Sequence, residues 1–266
     1  MFTKNSLDRR ILSLRTMLCV GLDTDPNKCP EHITGTLKQK VLEFNTAIVR
    51  ATSAYCVAYK INTAFYEAMG SDGWHILKQT AEYIKSHHPA HFLIADAKRG
   101  DIGNTANQYA RAFYDEMPFD AITLSPYMGL DTIRPFIRNG KFAIILALTS
   151  NQGSMDFQMQ PMSDGSLLFE NVVKRFSGEF SCDQIMFVAG ATHGAILRNI
   201  RASAPDYYLL VPGVGAQGGD YNTIVSHALN SSGAGLLVNS SREILYASSS
   251  ANFEDAAASA AMSYLF

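Results

Sequence analysis

Eight short runs of nearly unbroken apolar and β-branched character recur along the chain: Met17–Asp23, Cys56–Asn62, Phe92–Lys98, Ala121–Pro126, Phe142–Ser150, Gln184–Gly190, Tyr207–Gly213 and Gly235–Ser240. Continuous runs of this kind suit strands buried on both faces, as in a parallel sheet. Helical patterns lie between them. Leu37, Val41, Phe44 and Ile48 mark one helix face, Ile196 and Ile200 another, and Tyr221, Ile224, Val225 and Ala228 a third. Roughly eight strands alternating with helices over about 250 residues is the rhythm of a (β/α)8 barrel, the TIM barrel of the α/β class. A doubly wound open sheet has the same local alternation, so the strand count carries the choice. No composition shift, repeat or low-complexity tract marks a boundary, and residues 1–266 read as one barrel domain with an N-terminal helix.

That first helix places Asp8, Arg9, Arg10 and Arg15 among leucines, an amphipathic pattern rather than a signal peptide. Apolar residues make up 47% and charged residues 17%, ordinary for a globular protein with a sizeable core. The formal charge of −2 gives no reason to expect nucleic acid or a membrane surface as a partner. No apolar run reaches the roughly 18 residues needed to span a bilayer. Cys19, Cys29, Cys56 and Cys182 are widely spaced and read as reduced thiols of a cytoplasmic protein.

In a barrel the carboxyl ends of all strands face one side, where active sites form. The residues gathered there are Asp23, Lys60, Asp96, Lys98, Ser125, His193 and, just after the last strand, Arg242. The densest group is Asp96-Ala97-Lys98-Arg99-Gly100-Asp101-Ile102. Asp96 and Lys98 share a face of an extended strand. Acids on both sides of Lys98 keep its ammonium charged and make it a proton donor rather than a Schiff-base nucleophile. A purely structural ion-pair network is the alternative. The loop Val211–Asp220 carries four glycines after the seventh strand, and Asn239-Ser240-Ser241-Arg242 opens a helical stretch after the eighth. Loops in those positions, with an arginine, suit a phosphate group. Without a ligand the same residues make a glycine-rich turn.

Other features carry less. His87, His88 and His91 precede a strand at the amino end of the barrel and read as solvated. His193 either lines the site or merely starts a helix. Ser154 and Ser163 lack a recognisable triad, and Trp74 reads as packing. The polar segment Asn151–Gly165 is either a mobile flap over the site or a disordered surface excursion.

With the strand order in place, the chain resembles the orotidine 5′-phosphate decarboxylase family, most of all its longer bacterial branch. The motifs are Asp-x-Lys-Arg-Gly-Asp-Ile at Asp96–Ile102, Gly21-Leu22-Asp23, Lys60 with Ala64-Phe65-Tyr66-Glu67, and Pro126-Tyr127-Met128-Gly129. Thr149-Ser150-Asn151, Val211–Gly219 and Val238–Arg242 complete the set. The resemblance implies conversion of orotidine 5′-monophosphate to UMP, without cofactor or metal. It implies that Lys98 protonates C6 and that Asp96 sits beside the departing carboxylate. Asp23 and Lys60 are implied at the ribose, Ser125 at the pyrimidine, and Pro212, Gln217 and Arg242 at the phosphate. Ile102 is implied at the substrate, and a homodimer is implied as well, with Asp101 and Thr105 serving the neighbouring subunit's site.

Asn62-Thr63, Ser125, Gln152 and His193-Gly194 depart from the branch's usual residues, which leaves Ser125 and the flap less firmly placed than Lys98. Three other readings compete. Sugar-phosphate relatives with a similar Asp-x-Lys-x-x-Asp motif use magnesium and a further acid, whereas the second strand here offers Lys60. A Schiff-base aldolase needs a neutral lysine. A nucleotide-binding barrel without activity leaves the costly Asp-Lys-Asp cluster unexplained.

Overall fold

The computed structural model describes residues 1–190, 194–213 and 221–266. Eight parallel strands close into a barrel in chain order: β1 (Leu18–Gly21), β2 (Ala58–Asn62), β3 (Phe92–Arg99), β4 (Ala121–Leu124), β5 (Phe142–Leu148), β6 (Ile185–Ala189), β7 (Tyr208–Val211) and β8 (Leu236–Ser240). β8 pairs with β1 to shut the ring, through Leu18 opposite Val238 and Val20 opposite Ser240. All eight runs read from the sequence are strands, most of them shorter than the apolar pattern because ladder bonding stops before the chain turns away. β3 instead extends one residue further, to Arg99.

Helices wrap the ring: α1 (Lys4–Leu14), α2 (Leu37–Thr52), α3 (Thr63–Glu67), α4 (Gly70–His87), α5 (Gly103–Tyr114), α6 (Leu168–Ser177), α7 (Gly194–Ser203), α8 (Tyr221–Ala228), α9 (Arg242–Leu245) and α10 (Phe253–Met262). On α2, Val41, Phe44 and Ile48 are fully buried, the face that their spacing predicts, whereas Leu37, read as part of the same face, is exposed at the helix start. Thr36 begins that helix with a capping box to Gln39, which satisfies otherwise orphaned N–H groups. Among the described residues no helix is long and apolar enough to cross a membrane.

The amino end of the barrel is closed by α1, leaving the opposite mouth open. Leu7 and Ile11 are buried, and buried Asp8 accepts hydrogen bonds from Tyr208 of β7 (2.5 Å) and from Ser232 (2.9 Å). Arg201 of α7 donates to five carbonyls, those of Ala204, Pro205, Tyr207, Ala228 and Gly235, fastening the turns around β7 and β8. His91 lies at this end and corrects the solvated reading. It is buried, against the Tyr59 ring, with Nε2 2.9 Å from the Ser53 carbonyl and Arg10 of α1 above it. Burial, then the neighbouring Arg10 charge, lowers its pKa to about 4. His87 and His88 instead flank the Tyr83 ring. All four cysteines are free thiols, three of them buried.

Candidate active site

Four charged side chains of alternating sign cross the open mouth. Asp23 follows β1, Lys60 rises from β2, and Asp96 and Lys98 stand on β3. Lys60 Nζ lies 3.6 Å from Asp23 Oδ1 and 3.1 Å from Asp96 Oδ2, while Lys98 Nζ is 2.6 Å from Asp96 Oδ1. Register explains the meeting: Gly21 pairs with Lys60, and Asn62 with Asp96, so these residues sit at adjoining levels of neighbouring strands. Lys60 is almost wholly buried. Burial alone disfavours its ammonium, but Asp23 and Asp96 outweigh that and raise its pKa well above the ordinary lysine value. For Asp96, burial favours the neutral acid, but Lys60 and Lys98 outweigh it and hold the carboxyl far below its usual range. The Lys60 ammonium fills the space between the two carboxylates, where a metal ion would have to sit.

Lys98 differs from Lys60: half of its side chain is exposed. Its backbone is left-handed, with φ of 47°. That conformation costs a non-glycine residue roughly 1–2 kcal/mol. The cause is a break in the β3–β4 ladder, where pairing jumps from Ala95–Ile122 to Arg99–Leu124. Arg99 turns away to pair with Glu67 of α3 and to cover the Tyr109 ring.

Asp101 does not complete a second acid contact to Lys98 within its own chain. The chain leaves β3 after Arg99, and three residues connect it to α5, which begins at Gly103. Asp101 then accepts a hydrogen bond from the N–H of Ile102 at 2.8 Å. Ile102 and Thr105 point outward, Ile102 at 58% exposure. None of the three lines the cavity of this chain.

That cavity, of about 440 Å³, is walled by Asp23, Lys60, Asp96, Asn239, Pro212 and Arg242 among others. It therefore gathers residues from β2, β3, β8, the turns after β1 and β7 and the start of α9. Ser125 lies elsewhere: it lines a second, more apolar cavity of about 580 Å³ with Leu146, Phe157 and Gln158. The segment 151–165 is structured rather than an irregular excursion. It has a 3-10 turn at Gln152–Asp156 and a bridge from Pro161 to Leu167, and Gln158 accepts from the Thr149 N–H at 2.7 Å. His193 and Gln217 lie outside the described residues.

The sequence motifs do not reveal how Ser241, Gly21 and Thr123 act in the site, and Thr123 lies in none of them. Ser241 donates to Asp23 Oδ2 at 2.9 Å and accepts from Asn239 at 3.3 Å. Gly21 permits this, since a Cβ there would sit 1.9 Å from the Ser241 hydroxyl. Thr123 of β4 donates to Asp96 Oδ1 at 3.0 Å. Small hydroxyl and amide residues inside apolar strands stand out only when their partners are known. Asp23 Oδ1 and Asn239 Oδ1 are buried without a hydrogen-bond partner among the described residues, leaving acceptors free beside the cavity.

The model of the orotidine 5′-phosphate decarboxylase / HUMPS family matches residues 16–256. The chain belongs to this family. It is 51% identical over 259 residues to orotidine 5′-phosphate decarboxylase of Porphyromonas gingivalis, covering 97% of this chain and 93% of the relative. It is 48% identical to the Bacteroides fragilis protein of the same name, over 97% and 94% of the two chains. Leishmania donovani OMP decarboxylase superposes with a TM-score of 0.81 at 33% identity, over 96% and 94% of the two chains. The family match takes in every strand of the barrel and all the charged residues of the mouth.

Proposed function

We propose that the chain decarboxylates orotidine 5′-monophosphate to UMP and carbon dioxide, with Lys98 supplying the proton to C6. The carrying observation is the row Asp23–Lys60–Asp96–Lys98, with Lys98 half exposed and 2.6 Å from Asp96, which walls the cavity. The bond from C6 to the carboxylate breaks, carbon dioxide leaves, and the electron pair stays on C6 in an in-plane orbital. The Lys98 ammonium delivers its proton there, becomes a neutral amine, and is reprotonated from water. Asp96 lies beside the departing carboxylate and favours its loss.

An ammonium about 3 Å from the developing carbanion contributes roughly 5 kcal/mol at an effective dielectric of 20. The most demanding enzymes supply roughly 20 kcal/mol, so this one contact is not enough. Preorganised charge in a water-poor site and the binding energy of the remote phosphate supply the difference. Lys60 holds the two carboxylates apart and, with Asp23, takes the ribose hydroxyls. Pro212, Gln217 and Arg242 take the phosphate, and Ser125 faces the pyrimidine. Half-buried Asp101 and exposed Ile102 and Thr105 serve the site of a second copy, in a cytoplasmic homodimer whose single barrel domain spans residues 1–266.

The sugar-phosphate branch of the family is the second reading, and the position of the Lys60 ammonium disfavours its metal. The test is to follow the ultraviolet absorbance of orotidine 5′-monophosphate with purified protein, with and without EDTA. Loss of absorbance at equal rates in both supports the proposal. No loss, or loss abolished by EDTA, overturns it.

A further inference from the structure

We propose that Thr123 is a positioning residue for the Asp96–Lys98 pair, setting turnover without touching substrate; this rests on the decarboxylase reading above. Between Ala95–Ile122 and Arg99–Leu124 in the β3–β4 ladder, three residues of β3 face one residue of β4. The three are Asp96, Ala97 and Lys98, and the one is Thr123. A bulge of this kind leaves backbone groups without their regular ladder partners. Here a side chain takes over: the Lys98 N–H donates to Thr123 Oγ1 at 2.9 Å. The same hydroxyl donates to Asp96 Oδ1 at 3.0 Å. Thr123 is 1% exposed.

A hydroxyl has one hydrogen to give, so accepting from Lys98 and donating to Asp96 fixes its orientation. One side chain thereby ties down the left-handed backbone of Lys98 and the carboxylate that holds the Lys98 amine. The two contacts to Asp96 Oδ1, from Lys98 Nζ and from Thr123, also differ in what they do during the reaction. Once Lys98 has released its proton, its pull on Oδ1 weakens, whereas the Thr123 bond persists. The carboxylate therefore stays aimed at the amine while it regains a proton. Thr123 is buried and its one hydroxyl hydrogen is committed to Asp96, so its loss falls on turnover rather than binding.

The experiment compares wild type, Thr123→Val and Thr123→Ser by steady-state kinetics on orotidine 5′-monophosphate and by Kd for UMP. Valine keeps the branched shape and removes both hydrogen bonds. The expected result is a fall in kcat of about 10–100-fold, the scale of a hydrogen bond to a charged group, with KM and Kd changed by less than about threefold. Serine restores kcat to within about threefold of wild type. Valine that leaves kcat intact, valine that moves KM instead of kcat, or serine as slow as valine would each overturn the proposal. Should valine prevent folding, Thr123→Ala carries the same expectation, normalised to sites titrated with UMP. An inactive wild type defeats the decarboxylase reading, whereas an active wild type with an indifferent valine variant defeats only the role of Thr123.

Discussion

Ser241 donates a hydrogen bond to Asp23 across the seam where β8 meets β1, at 2.9 Å. The bond leaves the other oxygen of Asp23 toward Lys60 and free of hydrogen bonds among the described residues. Ser241→Ala frees that carboxylate to rotate. The expected effect is a loss of about tenfold or more in kcat/KM, in line with hydrogen bonds to charged groups. Combined with Asp23→Ala the loss should not add, because the serine acts through the aspartate. Full additivity in a double-mutant cycle argues against this.

Lys60→Met removes the cation between Asp23 and Asp96 and leaves two buried acids facing each other. Breaking a buried pair in this way costs about 3–5 kcal/mol. Activity should be lost and the denaturation midpoint should drop at neutral pH. The drop should shrink as pH falls and Asp96 is protonated, since its carboxyl is held low in the wild type mainly by Lys60 once burial is overcome. Urea titrations at several pH values give the answer, and a pH-independent deficit contradicts it.

His91 gives the fold an acid-side weakness away from the site. Its folded pKa of about 4 lies below the ordinary value of 6.5, so the unfolded chain binds more protons between those values. The sign follows: its contribution is complete above pH 6.5 and falls away as pH drops toward 4. The whole window is worth on the order of 3 kcal/mol. Wild-type stability should therefore decline through it, and His91→Gln should flatten the decline. Parallel curves for the two proteins contradict the assignment.

If phosphate contacts assist chemistry as well as binding, orotidine without its phosphate should react far more slowly even at saturation. The comparison is kcat for the nucleoside against kcat for the nucleotide. Equal values confine Gln217 and Arg242 to binding.

The barrel was legible because continuous apolar runs such as Phe142–Leu148 have no reading in an amphipathic protein other than a doubly covered strand. The charged row was legible because Asp23, Lys60, Asp96 and Lys98 fall at strand ends, where period-two alternation and parallel register bring them together. Asp101 does not meet Lys98 within its own chain because β3 ends at Arg99, so the period-two alternation that pairs Asp96 with Lys98 does not carry on to it. His91 was misread because a histidine beside a proline turn looks solvated until Arg10, from a distant helix, is found above it. Thr123 is invisible in the sequence, and Ser241 is legible only as part of the Asn239–Arg242 motif, because the role of each depends on one hydroxyl meeting a partner far away in sequence.

The most direct measurement is turnover of Lys98→Ala on orotidine 5′-monophosphate, with UMP binding measured on the same preparation. General acids contribute about 10²–10⁴-fold, and Lys98 also supplies the field at C6, so the loss should reach or exceed the top of that range while UMP still binds. Retention of about a tenth of wild-type turnover would exclude Lys98 as the required proton donor.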